Sequence, residues 1–254
     1  MTNVVITMAG LGKRFRDAGY DCPKYEINVH GRTLFEWSML SLRSFIQAGA
    51  RFIFVVRRED HAEAFIRQEC KVVGITSVKI VEIAELTDGQ ATSAILGGDV
   101  LDSPEEPFLV YNIDTFVHPD ALPADEVRGD GWVPCFPGKG DGWSFAAAEV
   151  DGSITDMREK MRISPHATIG LYWFSSYLLY KQVYAEYYSD PARMEKGEKY
   201  IAPMYRQMIQ DGCQVYLQEV GFDAVIPLGT PAEVEAFELR APPIVNLPKH
   251  PDGL

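Results

Sequence analysis

The run Val4-Val5-Ile6-Thr7-Met8-Ala9 passes directly into Gly10-Leu11-Gly12-Lys13-Arg14-Phe15, and Pro23-Lys24 follows soon after; this stretch decides how the chain is read. Its β-branched residues predict a strand. Two glycines at the carboxyl end of that strand let the backbone turn where a Cβ would clash. A turn of this kind aims several N–H groups at one anion. Lys13, Arg14 and Lys24 then set positive charge where a polyphosphate would lie. The first 24 residues carry Lys13, Arg14, Arg16 and Lys24 against only Asp17 and Asp21, in a chain whose formal net charge is −12. A local excess of cations in an acidic protein points to a built anion site rather than general stickiness.

The rest of the composition narrows the possibilities. A chain of 254 residues at 46% hydrophobic can bury one sizeable core. Its acidic balance argues against nucleic-acid partners and against docking on anionic membrane. No apolar run approaches the ~18 residues needed to span a bilayer, and the first residues lack a signal-peptide pattern. Cys22, Cys70, Cys135 and Cys213 are scattered, without a C-x-x-C pair, as expected for thiols in a reducing cytoplasm.

Outward from the opening loop, strand and helix patterns alternate. Thr33 can cap a helix that carries Leu34, Trp37, Leu40, Leu42 and Phe45 before Gly49 ends it. Residues 52–56 read as a buried strand, Asp60 opens a helix, and residues 78–83 form a third strand. A helix from Ala91 and a fourth strand at 108–111 follow, the latter ending on Asn112-Ile113-Asp114. After residue 116 the pattern changes to short β runs separated by Gly/Asp-rich turns. A strand at 168–174, helices around 176–188 and 200–211, strands at 215–220 and 225–228, and a helix from Pro231 complete it. These elements predict an α/β fold: a Rossmann-like, mostly parallel sheet with helices on both faces and an inserted β-rich part. One domain over residues 1–241 is expected, followed by an irregular tail at 242–254.

Neither familiar phosphate loop fits. Phe15 stands where the dinucleotide fingerprint has its third small residue, and no G-K-[S/T] follows to make a Walker loop. Instead, residues 8–15 with Pro23-Lys24 resemble the signature of nucleotidyltransferases that join an NTP to a phosphorylated sugar or similar small phosphate. That family includes glucose-1-phosphate thymidylyl-, uridylyl- and cytidylyltransferases. The resemblance implies that residues 1–115 mainly bind the NTP and residues 116–220 mainly bind the acceptor. It implies a loop of Ala9, Gly10, Leu11, Gly12 and Lys13 around the triphosphate, with Arg14 and Lys24 as catalytic cations. Such enzymes use Mg²⁺ and make activated precursors for cell-surface polysaccharide.

Asp114 is the second anchor. A carboxylate at the carboxyl end of a central strand lies at the ligand-binding edge of an open sheet, and Mg²⁺ takes hard oxygen ligands. The resemblance makes Asp114 a metal ligand. The family's Asp-x-Gly-Thr-Pro appears here as Pro227-Leu228-Gly229-Thr230-Pro231, with proline at the aspartate position, so Asp223 is taken as the second metal carboxylate. Thr87-Asp88-Gly89-Gln90 looks like the base-reading segment: Gln90 presents a donor and an acceptor to a pyrimidine edge, and Gly89 lets backbone approach the ring. Uracil, thymine and cytosine are not separated by it. Glu159-Lys160 followed by the strand at Thr168 and Gly170 resembles the acceptor side, where Lys160 would bind the acceptor phosphate. Thr168 and Gly170 would floor the pocket, and Glu198 would hold a ligand hydroxyl. Ala167 replaces an asparagine usual in the sugar enzymes.

A phosphate oxygen is already nucleophilic at neutral pH, so this reaction needs in-line placement and charge neutralisation rather than an activated side chain. No nucleophile–base arrangement stands out. A glycosyltransferase using an NDP-sugar is the rival on the same sheet, but it typically has Asp-x-Asp where this chain has Asn112-Ile113-Asp114. A non-catalytic nucleotide sensor should have lost its cationic residues, and an NAD-dependent oxidoreductase would not call for Mg²⁺. The stripe Tyr177, Tyr180, Tyr184, Tyr187 and Tyr188 is spaced as core or subunit interface, so a homodimer is conceivable.

Overall fold

Alternation along the first strand sets where the core lies. In the strand Asn3–Thr7, Val4 and Ile6 face one side and Val5 faces the other, and all three are fully buried. A strand buried on both faces requires helices on both sides of its sheet. The structure is a computed structural model and describes residues 1–245. On one face lie the helices Leu34–Leu40 and Glu63–Val73; on the other lie Gln90–Gly98 and Tyr177–Tyr187.

Asn3–Thr7 pairs in parallel with Arg51–Arg57 on one side and with Phe108–Asn112 on the other, and Val78–Ile83 pairs in parallel with Arg51–Arg57. Beyond Phe108–Asn112 the same sheet continues with a change of direction. Leu171–Phe174 pairs antiparallel with it, and Gly131–Phe136, Ala167–Thr168, Ser144–Ala148 and Ile154–Glu159 extend the antiparallel half. Val215–Glu219 joins Gly131–Phe136 in parallel, making ten strands in all. The fold is thus the expected α/β type, with a parallel core and an inserted β-rich part that prolongs one continuous sheet. Of the tail expected at 242–254, residues 242–245 carry no helix or strand, and residues 246–254 lie outside the described residues.

Three local expectations change. The helix after Thr33 does start with a reciprocal cap, Thr33 Oγ1 accepting from the Glu36 N–H at 3.1 Å, but it ends at Leu40 and a separate helix covers Arg43–Gln47. The break falls at Ser41, whose hydroxyl accepts the Val117 N–H at 2.9 Å and so ties that turn to a neighbouring strand. Asp60 does not open a helix: it closes a 3₁₀ turn, paired with Arg57, and the helix begins at Glu63. The run 168–174 is interrupted at Gly170 (φ 80°), leaving the strands Ala167–Thr168 and Leu171–Phe174. The tyrosine stripe is largely core. Tyr177, Tyr180 and Tyr187 are buried, and the Tyr180 hydroxyl donates to the Ala91 carbonyl at 2.7 Å.

Strand order reverses between Asn3–Thr7 and Phe108–Asn112, since the chain leaves the first toward Arg51–Arg57 and returns on its other side. Open α/β sheets bind ligands in the crevice outside the carboxyl ends at such a point. The two segments that emerge there are the glycine loop and Ile113-Asp114.

Candidate active site

The loop after the first strand is held by its own backbone and one side chain. Gly12 sits at φ 58°, a left-handed conformation that costs an L-residue energy, and leads into the short helix Lys13–Asp17. Arg16 Nε donates to the Leu11 carbonyl at 2.9 Å, so this fourth cation closes the loop instead of facing a ligand. Phe15 is buried and meets Tyr20 edge-on, which anchors the helix where a dinucleotide loop would need a small residue. Lys13 and Arg14 are left exposed, and no ion pair engages either among the described residues. With Ala9, Gly10, Leu11, Gly12 and Lys24 they wall a cavity of about 640 Å³.

Asp114 lies at the floor of this cavity, 2.9 Å from Lys24 Nζ through Oδ2. The structure brings a second carboxylate to it, but not the expected one. Asp223 sits on the exposed turn Phe222–Ala224, and the following strand Val225–Pro227 runs antiparallel to Thr115–Val117 with Val225 opposite Val117 and Pro227 opposite Thr115. Asp223 is therefore at the far end of this pair from Asp114 and lines neither this cavity nor the next. Leu228 N–H instead donates to the Asp114 carbonyl at 2.8 Å, and the chain turns into the helix Pro231–Glu238. Over Gly229, a Cβ would come 3.4 Å from Asp114 Oδ2 and 3.6 Å from Glu233 Oε2. Glu233 makes no side-chain hydrogen bond or ion pair among the described residues. Its position in the first turn reads from sequence as a helix-capping glutamate, and only the fold aims it at Asp114.

The segment expected to read the base faces the same cavity. Thr87, Asp88, Gly89 and Gln90 line it, and Gln90 Nε2 donates to Thr7 Oγ1 at 3.2 Å and to Asn112 Oδ1. The amide nitrogen is thus engaged by the two central strands, and among the described residues its oxygen is the free end.

A second cavity, about 580 Å³, opens on the antiparallel side. Glu159, Lys160, Thr168, Gly170 and Glu198 all line it, with Ser144, Tyr172 and Tyr200. A hydrogen-bond chain connects these groups. Thr168 Oγ1 and the Tyr172 hydroxyl are 3.0 Å apart, Tyr172 reaches Ser144 Oγ at 3.4 Å, and Ser144 donates to Glu159. Glu159 is 7% exposed, and burial pushes its carboxyl above the usual range against the partial relief of Ser144 and Lys160. Glu159 Oε1 lies 3.4 Å from Lys160 Nζ, which also donates to the Tyr200 hydroxyl at 2.7 Å. Burial acts to lower the Lys160 ammonium pKa, but Tyr200 and Glu159 outweigh it, so the lysine stays charged. Its backbone is held at φ 50°, a left-handed conformation that costs a non-glycine residue on the order of 1–2 kcal/mol and aims this cation. The Ser144, Tyr172 and Tyr200 hydroxyls escaped the sequence reading because no local pattern separates them from core residues.

The two cavities meet. Arg14, Gln90, Asn112, Asp114, Glu198 and Gly229 line both. Asp114 and Arg14 are thus common to the walls of both.

No family model matches the chain, and no curated protein sequence matches it. Among solved structures, a nucleoside-diphosphate-sugar pyrophosphorylase from Vibrio cholerae RC9 superposes with a TM-score of 0.86 at 36% sequence identity, over 93% of this chain and 100% of that one. An inositol-1-phosphate CTP transferase from T. maritima superposes at a TM-score of 0.72 and 18% identity, over 92% of this chain and 91% of its own. A CTP:phosphocholine cytidylyltransferase from Streptococcus pneumoniae does so at 0.69 and 17%, over 93% and 97%. At those identities the last two show a shared fold.

Proposed function

Because the chain belongs to the nucleoside-diphosphate-sugar pyrophosphorylase family of nucleotidyltransferases, we propose that it transfers NMP from a pyrimidine NTP (CTP, UTP or dTTP) to a small phosphorylated acceptor and releases pyrophosphate. The observation that carries this reading is the junction of two cavities over Asp114. One has cations on a glycine loop that no carboxylate engages among the described residues, as a triphosphate requires. The other has a charged lysine held by Glu159 and Tyr200, as an acceptor phosphate requires.

The acceptor phosphate, bound by Lys160, attacks the α-phosphorus; a bond forms from its oxygen and the bond to the β-phosphate oxygen breaks. Arg14, on both cavity walls, faces the negative charge that builds on the departing pyrophosphate. Lys24 lies beside Asp114 and neutralises oxygens of the reacting phosphates. Lys13 and the loop N–H groups of residues 9–13 cradle the β- and γ-phosphates. Gly89 and Gln90 take the base. Thr168, Gly170 and Glu198 shape the acceptor pocket, whose occupant is a sugar phosphate or similar small phosphate.

Mg²⁺ fits the donors present: Asp114 and Glu233 offer hard carboxylate oxygens that converge over Gly229, so these two residues would hold it. When bound, the ion would neutralise phosphate charge next to the reacting centre. The activated product is the kind of precursor consumed in building cell-surface polysaccharide. Among the described residues no helix is long and apolar enough to cross a membrane.

The test is pyrophosphate release from CTP, UTP and dTTP with Mg²⁺ against a panel of sugar, polyol and amino-alcohol phosphates. Turnover with at least one pair is expected. Absence of release across the panel, with binding of an NDP-sugar donor and glycosyl transfer instead, would replace this reading with the glycosyltransferase one.

A further inference from the structure

Gly89 lies against the backbone of Lys199 so closely that a Cβ would come 2.4 Å from the Lys199 carbonyl oxygen and 2.5 Å from its nitrogen, and its φ of 143° would strain any other residue. The contact is built from ordered bonds. Lys199 N–H donates to the Asp88 carbonyl at 2.7 Å, and Ala91 N–H donates to the Lys199 carbonyl at 3.1 Å. Side chains repeat the link: Lys199 Nζ lies 2.8 Å from Asp88 Oδ2 and donates to the Tyr184 hydroxyl at 3.1 Å, above the rings of Tyr184 and Tyr188. Thr92 closes the circle, donating to Asp88 and lying 2.8 Å from the Tyr184 hydroxyl.

Lys199 itself belongs to a stiff segment. Lys196 and Gly197 both have positive φ, at 53° and 80°, and Glu195 and Glu198 exchange two backbone hydrogen bonds at 3.0 Å around them, the geometry of a tight hairpin turn. Gly197 and Glu198 line the nucleotide cavity, and Glu198 and Tyr200 line the acceptor cavity. Tyr200 is fixed in turn, its carbonyl accepting from the Tyr188 hydroxyl at 2.5 Å and its own hydroxyl accepting from Lys160.

We propose that Lys199 is a positioning residue that straps the base-reading segment 87–90 to the segment 195–200, so that the base and the acceptor lysine Lys160 are placed by one rigid unit. The proposal rests on the nucleotidyltransferase reading of the two cavities. Lys199 touches no substrate in this arrangement; it acts on the base through Asp88 and Gly89. The charge state is consistent, since the Asp88 hydrogen bond, outweighing burial, raises the Lys199 ammonium pKa.

Calorimetric titration separates this role from a general structural one. CTP, UTP and dTTP are titrated into wild type, Lys199→Met and Lys199→Arg, with inorganic tripolyphosphate as a probe that has phosphates but no base. Lys199→Met is expected to weaken the nucleotide that wild type binds best by about tenfold, the effect of losing one partly exposed charged hydrogen bond, and to leave tripolyphosphate affinity unchanged. Lys199→Arg should restore most of the loss. In steady state Lys199→Met should raise KM for the NTP while kcat falls less than about threefold. Equal affinity of wild type and Lys199→Met for every nucleotide would overturn the proposal and leave the nucleotidyltransferase reading standing. Equal losses for nucleotide and tripolyphosphate would also overturn it, because they report damage to the whole cleft. Wild type that bound tripolyphosphate but none of the three nucleotides would remove both the function and the strap.

Discussion

Replacing Arg14 by alanine tests the proposed chemistry most directly. The guanidinium stands on the wall common to both cavities, is exposed, and is engaged by no carboxylate among the described residues. Its removal breaks no ion pair, so the fold should lose no more than ~0.5 kcal/mol, the ordinary range for a surface substitution. The catalytic cost is of another size. A preorganised charge partner for a leaving group contributes about 10²–10³ in rate, or about 2.7–4 kcal/mol. Arg14→Ala is therefore expected to lower kcat about 100-fold or more with an unchanged unfolding midpoint. Arg14→Lys should recover part of that rate, since it keeps the charge but not the fork of donors. The measurement is initial-rate pyrophosphate release at saturating NTP and acceptor, alongside thermal unfolding of each variant. A loss under about threefold, or a rate loss that follows a falling midpoint, would refute the assignment of Arg14 to the transition state.

Asp114→Asn should abolish most turnover, by about 10²-fold or more, and weaken Mn²⁺ binding followed by electron paramagnetic resonance, while Lys24 loses the charged partner it has at 2.9 Å. Glu233→Gln should weaken Mn²⁺ binding in the same assay, whereas Asp223→Asn on its exposed turn should leave binding and turnover within twofold of wild type; the opposite pattern would restore Asp223 as the ligand. The Asp88–Lys199 pair carries a pH signature. Burial acts to raise the Asp88 pKa, but hydrogen bonds from Lys199 and Thr92 prevail and hold it below the ordinary aspartate value of 3.8. A carboxylate with a lowered folded pKa adds stability above its unfolded pKa and loses it as pH falls through the folded one. The difference in melting temperature between wild type and Asp88→Asn should be full at neutral pH and shrink below about pH 4, where acid scans of both proteins would reveal it.

The parts of the candidate site whose placement was legible in the sequence are those made by consecutive residues. The turn after Asn3–Thr7 needs only a β-branched run, two glycines and the cations that follow, and the structure puts those cations on one cavity wall. Asp114 was legible for the same reason, as the first acid after a buried strand. The break at Ser41 was not, because it depends on a hydrogen bond to Val117, far along the chain. Arg16 counted in the sequence only toward the local positive charge, and its bond to the Leu11 carbonyl assigns it to the loop.

The sequence by itself determined the α/β alternation, the cation-bearing glycine loop at a strand's carboxyl end, and the placing of that loop beside Asp114, since these follow from hydrophobic period and local backbone chemistry. Tertiary structure alone decided which carboxylate comes near Asp114 and which lysine pairs with Asp88 in the segment 87–90. Both outcomes turn on strand register and on segments distant in sequence coming together. Val225 opposite Val117 carries Asp223 away from the cleft, while the turn at Gly229 carries Glu233 into it. A slip of one residue in that pairing would reverse every side chain on the strand, and no short stretch of sequence encodes such a choice by itself.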